Sequence, residues 1–75
     1  MDENPTLEKI SRGAVKEFSQ YGFDGARIDR IAKNAKINKA MIYYHFKGKE
    51  ALYEHVLTMV VSGIYNAVFR LVPEE

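Results

Sequence analysis

The chain has 75 residues and no cysteine, so we expect one domain with a modest core and neither a disulfide framework nor a cysteine-ligated zinc site. Hydrophobic residues make up 47% of the chain, which excludes a disordered polymer, and the net charge of +1 by itself indicates no partner. The acidic N-terminus and the short apolar runs predict neither a signal peptide nor a membrane span, and therefore a cytoplasmic protein with no membrane partner.

The charge is distributed unevenly along the chain. Residues 1–26 carry a net charge of −2, residues 27–49 a net charge of +6 and residues 50–75 a net charge of −3. A basic segment between two acidic ones is the pattern expected of a surface that binds a polyanion. A solvated surface face would give the same pattern, so charge alone leaves both interpretations open.

The first predicted helix starts at Asn4, as N-cap, and Pro5, as the first helical residue. We expect it to end at Gly22, with Phe23 folding back onto it. Gly13 inside this helix should cost about 1 kcal/mol relative to alanine, and a close approach of another helix would explain its use. Apolar residues recur at spacings of three and four, which is the stripe of a buried helix face: Leu7, Ile10, Ala14, Phe18 and Tyr21.

Three further helices are predicted. The second runs from about residue 27 to 35, and the third from 39 to about 46, with Asn38 as its N-cap. A fourth runs from about 49 to 71, after a break at Lys47-Gly48, and ends before Pro73. Its apolar stripe is supplied by Leu52, Val56, Met59 or Val60, Gly63, Ala67 and Leu71. The part from Met59 onward could be core or could be partly exposed, since the helix is longer than the three-helix head can cover.

Together these elements predict an all-α fold. It is a homeodomain-like three-helix DNA- or RNA-binding bundle with a helix-turn-helix at about residues 27–46, followed by the start of a long fourth helix. We divide the chain into a head, residues 1–48, and the fourth helix, residues 49–75. The expected core of the motif is Ile28, Ile31, Ala32, Ile37, Ile42 and Phe46.

The third helix has an unusual surface. At 100° per residue Ile42 and Phe46 face the core, while Lys39, Ala40 and Tyr43 lie on about the opposite side. Two adjacent tyrosines and a histidine on such a short helix suit contacts with bases and phosphates in a major groove. The tyrosines could instead be aromatic residues at the edge of the core.

Other chemistry is weakly indicated. His45 and His55 are ten residues apart with no third ligand at a recognisable spacing, so we predict no metal site. Glu50 and Glu54 are expected to be solvated charges rather than an acid–base pair. No phosphate loop or nucleophile motif occurs, so the sequence predicts no enzyme and no cofactor.

Several motifs resemble the DNA-binding domain of the tetracycline-repressor (TetR) family. The resemblance covers about Leu7 to Leu57, and its most specific part is the stretch from Tyr43 to Leu52. The matching motifs are Tyr21-Gly22-Phe23, Ile31-Ala32, Ala35, Ile37-Asn38-Lys39, Ile42-Tyr43-Tyr44-His45-Phe46 and Lys49-Glu50-Ala51-Leu52.

The resemblance implies a homodimeric transcriptional regulator, most often a repressor, whose third helices enter the major grooves of a palindromic double-stranded operator. By this resemblance the base-facing residues are Lys39, Ala40 and Met41. The phosphate-binding residues are Arg27, Tyr43, Tyr44, His45 and Lys49. It also implies a C-terminal domain that binds a small-molecule inducer and forms the dimer, and that is absent from these 75 residues.

The sequence departs from the family pattern at the start of the second helix and in the turn. Ala26 cannot cap a helix, so Asp24 is a candidate cap. Lys36 stands where glycine is common, and a positive φ there implies strain of about 1 kcal/mol. Ala40 replaces a common glycine, and Met41 is an unusual residue to face a base. As an alternative function, the apolar end of the fourth helix could make the chain a protein–protein interaction module.

Overall fold

The computed structural model describes residues 5–71, except the side chains of Tyr65, Phe69 and Leu71. It contains four helices, α1 (Pro5–Gly25), α2 (Ile28–Ala35), α3 (Lys39–His45) and α4 (Lys49–Leu71), and no strand within the described range. The predicted all-α class is confirmed. The proposed cap at Asn4 and the stop at Pro73 lie outside the described residues.

All four helices contribute to one core. Helix α1 packs against each of the other three helices, and α2 packs against α3. The largest fully buried side chains are Ile10 of α1, Ile31 of α2, Ile42 of α3 and Leu52 of α4. The other buried apolar residues are Ala14, Phe18, Ala26, Ile28, Ala32 and Val56.

The predicted core of the helix-turn-helix is largely confirmed. Four of its six members are buried, and Ile37 and Phe46 are half-buried against them. Tyr21, however, which we predicted in the buried stripe of α1, is exposed. Its ring lies beneath a guanidinium instead, as described below.

The end of α1 differs from the prediction. Gly22 has φ 74° and ψ 177°, which interrupts the helix, but a further turn continues to Gly25. The backbone N–H of Ala26 then donates to the Gly22 carbonyl at 3.1 Å. Phe23 does fold back as predicted, since its ring stacks on Phe18 and meets Tyr53 of α4 edge to face. Helix α4 is thereby held against the end of α1.

Gly13 lies where α1 and α2 approach closely, which explains a glycine inside the helix. A Cβ atom at this position would come within 3.3 Å of Ile31 Cγ2 and 3.8 Å of Ala35 Cβ. Because larger side chains would separate the two helices, glycine is suited to this position despite its low helix propensity.

The turn between α2 and α3 is closed by a left-handed residue. Lys36 has φ 60° and ψ 45°, which meets the condition under which the sequence implied strain at this position. The N–H of Ile37 donates to the Ala32 carbonyl at 3.0 Å, which closes the end of α2. Asn38 then caps α3, because its Oδ1 accepts from the N–H of Ala40 at 2.8 Å. The predicted cap is confirmed.

Among the described side chains of helix α4, the buried ones lie in its first half. Leu52 and Val56 are buried, whereas the later positions of the predicted stripe that are described, including Met59, Val60 and Ala67, are exposed. The described part of the expected stripe beyond Val56 is thus exposed, because the helix extends past the other three helices. Among the described residues, no helix combines the length and apolarity needed to cross a membrane.

Replacing Lys36 by glycine should stabilise the domain. Glycine adopts φ 60° without the Cβ clash that a lysine suffers, so we expect the free energy of unfolding to rise by about 1 kcal/mol. Urea denaturation would measure it. Lys33→Gly removes the same charge from within α2 and should lower the free energy by about 1 kcal/mol. A destabilised Lys36→Gly variant would contradict the assigned strain.

Candidate nucleic-acid interface

Helix α3 presents its predicted base-facing residues to solvent. Lys39, Ala40 and Met41 are all exposed, with Met41 39% accessible, while Ile42 is fully buried beneath them. The helix therefore has one face in the core and one face available to a ligand.

The two tyrosines are also exposed. Tyr43 is half accessible, and Tyr44, at 81%, is the most exposed of the large apolar or aromatic side chains that the structure describes. The alternative interpretation, that the two tyrosines are aromatic residues at the edge of the core, does not agree with this exposure of Tyr43 and Tyr44. Exposed phenols on a helix that faces solvent are suited to donate hydrogen bonds to phosphates.

The two histidines have different surroundings. His45 is half-buried and its ring lies edge-on to Tyr44, with centroids 5.1 Å apart. His55 is half-buried as well, but its Nε2 is 2.9 Å from the Ser11 hydroxyl and its ring packs on Phe46. No group of three or more potential ligands suited to a metal ion occurs among the described residues.

Helix α2 is capped from α1 rather than from its own sequence. Arg27 is the N-cap residue and its side chain makes no capping bond, nor does Asp24 supply one. Instead the Arg27 N–H donates to Oε2 of Glu17 at 3.0 Å. Glu17 is 3% exposed, so its negative charge is buried at the positive end of α2. The Arg27 side chain itself is exposed.

Arg30 completes this junction between α1 and α2. Its Nε donates to the same Glu17 Oε2 at 2.7 Å, and Nη2 donates to the Gly25 carbonyl at 3.0 Å. Its guanidinium also lies 3.8 Å from the centre of the Tyr21 ring. Sequence reasoning missed this network. The available signal was the position of Glu17 next to Phe18 on the apolar stripe of α1, where an unpaired carboxylate would be costly.

Lys49 has an internal role that the sequence did not indicate. Its ammonium donates to the carbonyls of Asp24 at 3.4 Å and Ala26 at 3.2 Å, and it lies 4.6 Å from the centre of the Phe23 ring. The side chain thus joins the start of α4 to the α1–α2 junction. The role of Lys49 as a phosphate ligand stays a prediction, and its bonds to the two carbonyls give it a structural role as well.

Lys39 is also paired within the domain. Its Nζ lies 2.8 Å from Oδ1 of Asp29 in the first turn of α2, and both side chains are largely exposed. The hydrogen bond from Lys39, and then its charge, lower the pKa of Asp29, and the charge of Arg27 adds to this. The same hydrogen bond raises the pKa of Lys39. The pair is therefore charged throughout the neutral range.

Comparison with known proteins decides the family. Residues 10–56 match the model of the bacterial regulatory proteins of the tetR family, which is more than half of the chain. The chain belongs to the TetR family. The resemblance seen in the sequence is confirmed. Since this family consists of bacterial regulatory proteins, the TetR-family chain is a DNA-binding helix-turn-helix region rather than an enzyme domain.

Two curated relatives are similar over most of the chain. The HTH-type transcriptional repressor NicS of Pseudomonas putida is 42% identical over 66 residues, which are 88% of this chain and 31% of NicS. IcaR, the negative transcriptional regulator of the biofilm operon icaADBC in Staphylococcus aureus, is 47% identical over 61 residues. These are 81% of this chain and 33% of IcaR.

Solved structures show the same fold. A Streptomyces coelicolor protein described as a transcriptional regulator superimposes with a TM-score of 0.81 at 42% identity, over 83% of this chain and 35% of that protein. HlyIIR, a hemolysin II transcriptional regulator, gives a TM-score of 0.68 at 46% identity, over 72% of this chain and 30% of HlyIIR. The TetR-family chain thus spans about a third of the length of these relatives.

Glu17→Gln should destabilise the α1–α2 junction. The amide keeps the size of the side chain but removes the charge that Arg30 and the α2 N-terminus face, so we expect a loss of about 1–3 kcal/mol in the free energy of unfolding. Urea denaturation would measure it. Glu8→Gln, which affects only an exposed ion pair with Arg12, should leave stability almost unchanged. Equal effects of the two variants would contradict a special role for Glu17.

The Asp29 carboxyl should titrate below its ordinary pKa of 3.8, because Lys39 stabilises the charged form. The contribution of the pair to stability is then present above that value and is lost as the pH falls through the lowered pKa. Lys39→Gln should move the pKa of Asp29 back upward in an NMR titration. Lys33→Gln, a change on the helix that carries Asp29, should move the pKa of Asp29 far less, because Lys33 is not among the groups that lower it. An unmoved pKa of Asp29 in Lys39→Gln would argue against the ion pair in solution.

Proposed function

We propose that the chain is the DNA-reading head of a dimeric, ligand-responsive repressor that binds a palindromic operator. The observation that carries the proposal is the surface of α3, where Lys39, Met41 and Tyr44 are exposed around a buried Ile42. A helix that is held by a buried residue on one face, with long polar and apolar side chains exposed on the other, is suited to bind in a major groove. The names of NicS and IcaR as a repressor and a negative regulator favour repression.

In this proposal the first residues of α3 read bases. Lys39 can donate to guanine O6 and N7, and Met41 can contact the methyl group of thymine. Ala40 is small enough to let the backbone of α3 come close to the bases. These three side chains would decide which sequence is preferred.

The surrounding residues hold the DNA backbone. We assign phosphate contacts to Arg27 at the start of α2, to Tyr43, Tyr44 and His45 on α3, and to Lys49 at the start of α4. An ammonium has three donors, so the two carbonyl bonds of Lys49 leave one for a phosphate oxygen. Such contacts fix the position of the domain on the duplex without reading its sequence.

Dimerisation and inducer binding are proposed for a further domain. The relatives are about three times as long as the stretch that they share with this chain, which leaves room in such proteins for a second domain. We place the small-molecule inducer and the dimer contacts there, and the head in the cytoplasm with its DNA.

The alternative function also has an observation in its favour. The second half of α4 exposes apolar side chains, among them Val61, Ile64 and Val68, which could contact a partner protein. An interaction module of this kind needs no DNA, so duplex binding separates the two proposals.

The proposal predicts salt-dependent, sequence-selective duplex binding. After selection of bound duplexes from a random pool, the logarithm of the affinity should fall with the logarithm of salt concentration, with a slope of about −0.9 per phosphate neutralised. Electrophoretic mobility shifts would measure this. Met41→Ala should change the preferred bases, whereas Tyr44→Phe should weaken all duplexes alike and leave the slope unchanged. Failure to bind any duplex at low salt would refute the proposal and favour the interaction module.

A further inference from the structure

The ion pair between α2 and α3 involves the single acidic residue of the basic segment. Between residues 27 and 49 the chain carries seven basic side chains and one acidic side chain, Asp29. Of the seven basic side chains, Lys39 forms the ion pair with Asp29, with 2.8 Å between its Nζ and Oδ1 of Asp29. Asp29 is therefore ion-paired with the lysine at the start of α3, the end of the helix that would enter the major groove in the proposed complex.

Stability does not explain this arrangement well. The side chains of Lys39 and Asp29 are 51% and 76% exposed, and ion pairs that are this open to water contribute little to folding. An acidic residue in the first turn of α2 does suit the positive end of that helix. Glu17, however, already brings a buried carboxylate to the same end. A carboxylate on a DNA-binding surface also repels phosphates, so its presence there needs another reason.

The consequence for DNA binding follows from the chemistry of lysine. A free ammonium on a flexible stem binds any phosphate, which adds affinity for every sequence equally. Bound to Asp29, the Lys39 ammonium can reach a distant phosphate only by breaking the ion pair. It still has two further donors for the acceptors of a base edge close by.

We propose that Asp29 is a specificity-determining residue, which aims Lys39 at a base edge in the operator complex and withholds it from phosphates on other DNA. This inference rests on the proposed function. The ion pair persists in the operator complex, with the ammonium shared between Asp29 and the base. On an arbitrary duplex, Asp29 weakens binding, because it holds Lys39 and repels the backbone.

The test compares Asp29→Asn with the natural chain on two probes: a duplex that the natural chain selects from a random pool, and a scrambled duplex of the same composition. We expect the variant to bind the scrambled duplex about three- to tenfold more tightly, the size of one unit-charge interaction in water. Binding to the selected duplex should change much less, so the ratio of the two affinities falls. Asp29→Ser should act in the same way, and circular dichroism should show both variants folded.

Two controls make the result specific. Glu8→Gln adds the same charge elsewhere, at the exposed pair with Arg12 on α1, and should leave the ratio unchanged. In a Lys39→Gln background, Asp29→Asn should lower the ratio far less, because the lysine that Asp29 directs is gone. An unchanged ratio in Asp29→Asn, an equal fall with Glu8→Gln, or a full fall without Lys39 would each overturn the inference.

The outcome for the natural chain separates this inference from the function on which it rests. A natural chain that binds both duplexes equally, or binds neither, refutes the proposed function and the inference with it. A natural chain that prefers the selected duplex supports the function, and the variants then decide the role of Asp29 alone.

Discussion

The short third helix depends on the rest of the domain for its existence. Helices of fewer than about 12 residues are marginal in water on their own, and α3 has seven residues. Its shape is held by the burial of Ile42, by the Asn38 side chain that caps it, and by the left-handed Lys36 that turns the chain into it. The same constraint leaves the opposite face of α3 exposed, and that face is where Lys39, Met41 and Tyr44 lie. Helix α3 is therefore packed on one side and open to solvent on the other.

The position of α3 is in turn fixed through α2. Helix α2 is joined to α1 by the close approach at Gly13 and by the buried carboxylate of Glu17, which binds Arg30 and the N–H of Arg27. Because Glu17 is almost fully buried, its charge has few competing water molecules and holds these donors at fixed positions. Helix α3, which packs against α2, is thereby held in a fixed orientation relative to α1.

The charge that faces a ligand is smaller than the sequence suggests. Arg30 is bound to Glu17, Lys39 to Asp29, and Lys49 to two backbone carbonyls. Each cation thereby has a structural partner, and a phosphate must compete with that partner for it. The net charge of +6 on residues 27–49 is a property of the composition of this segment. How much of this charge is available to a phosphate depends on which of the basic side chains already have partners within the domain.

The sequence by itself determined the helix order, the turn and the family. Apolar residues at spacings of three and four, the cap at Asn38 and the substitution of Lys36 for glycine are local features, because each depends on residues within about one turn. The end of α1 was misplaced, since the turn after Gly22 depends on contacts of Phe23 with Phe18 and Tyr53. Only the tertiary structure decided the partners of Glu17, Lys39 and Lys49. Their bonds join residues 10 to 25 positions apart, and no periodicity records which distant backbone or side chain will lie within reach of a flexible charged group.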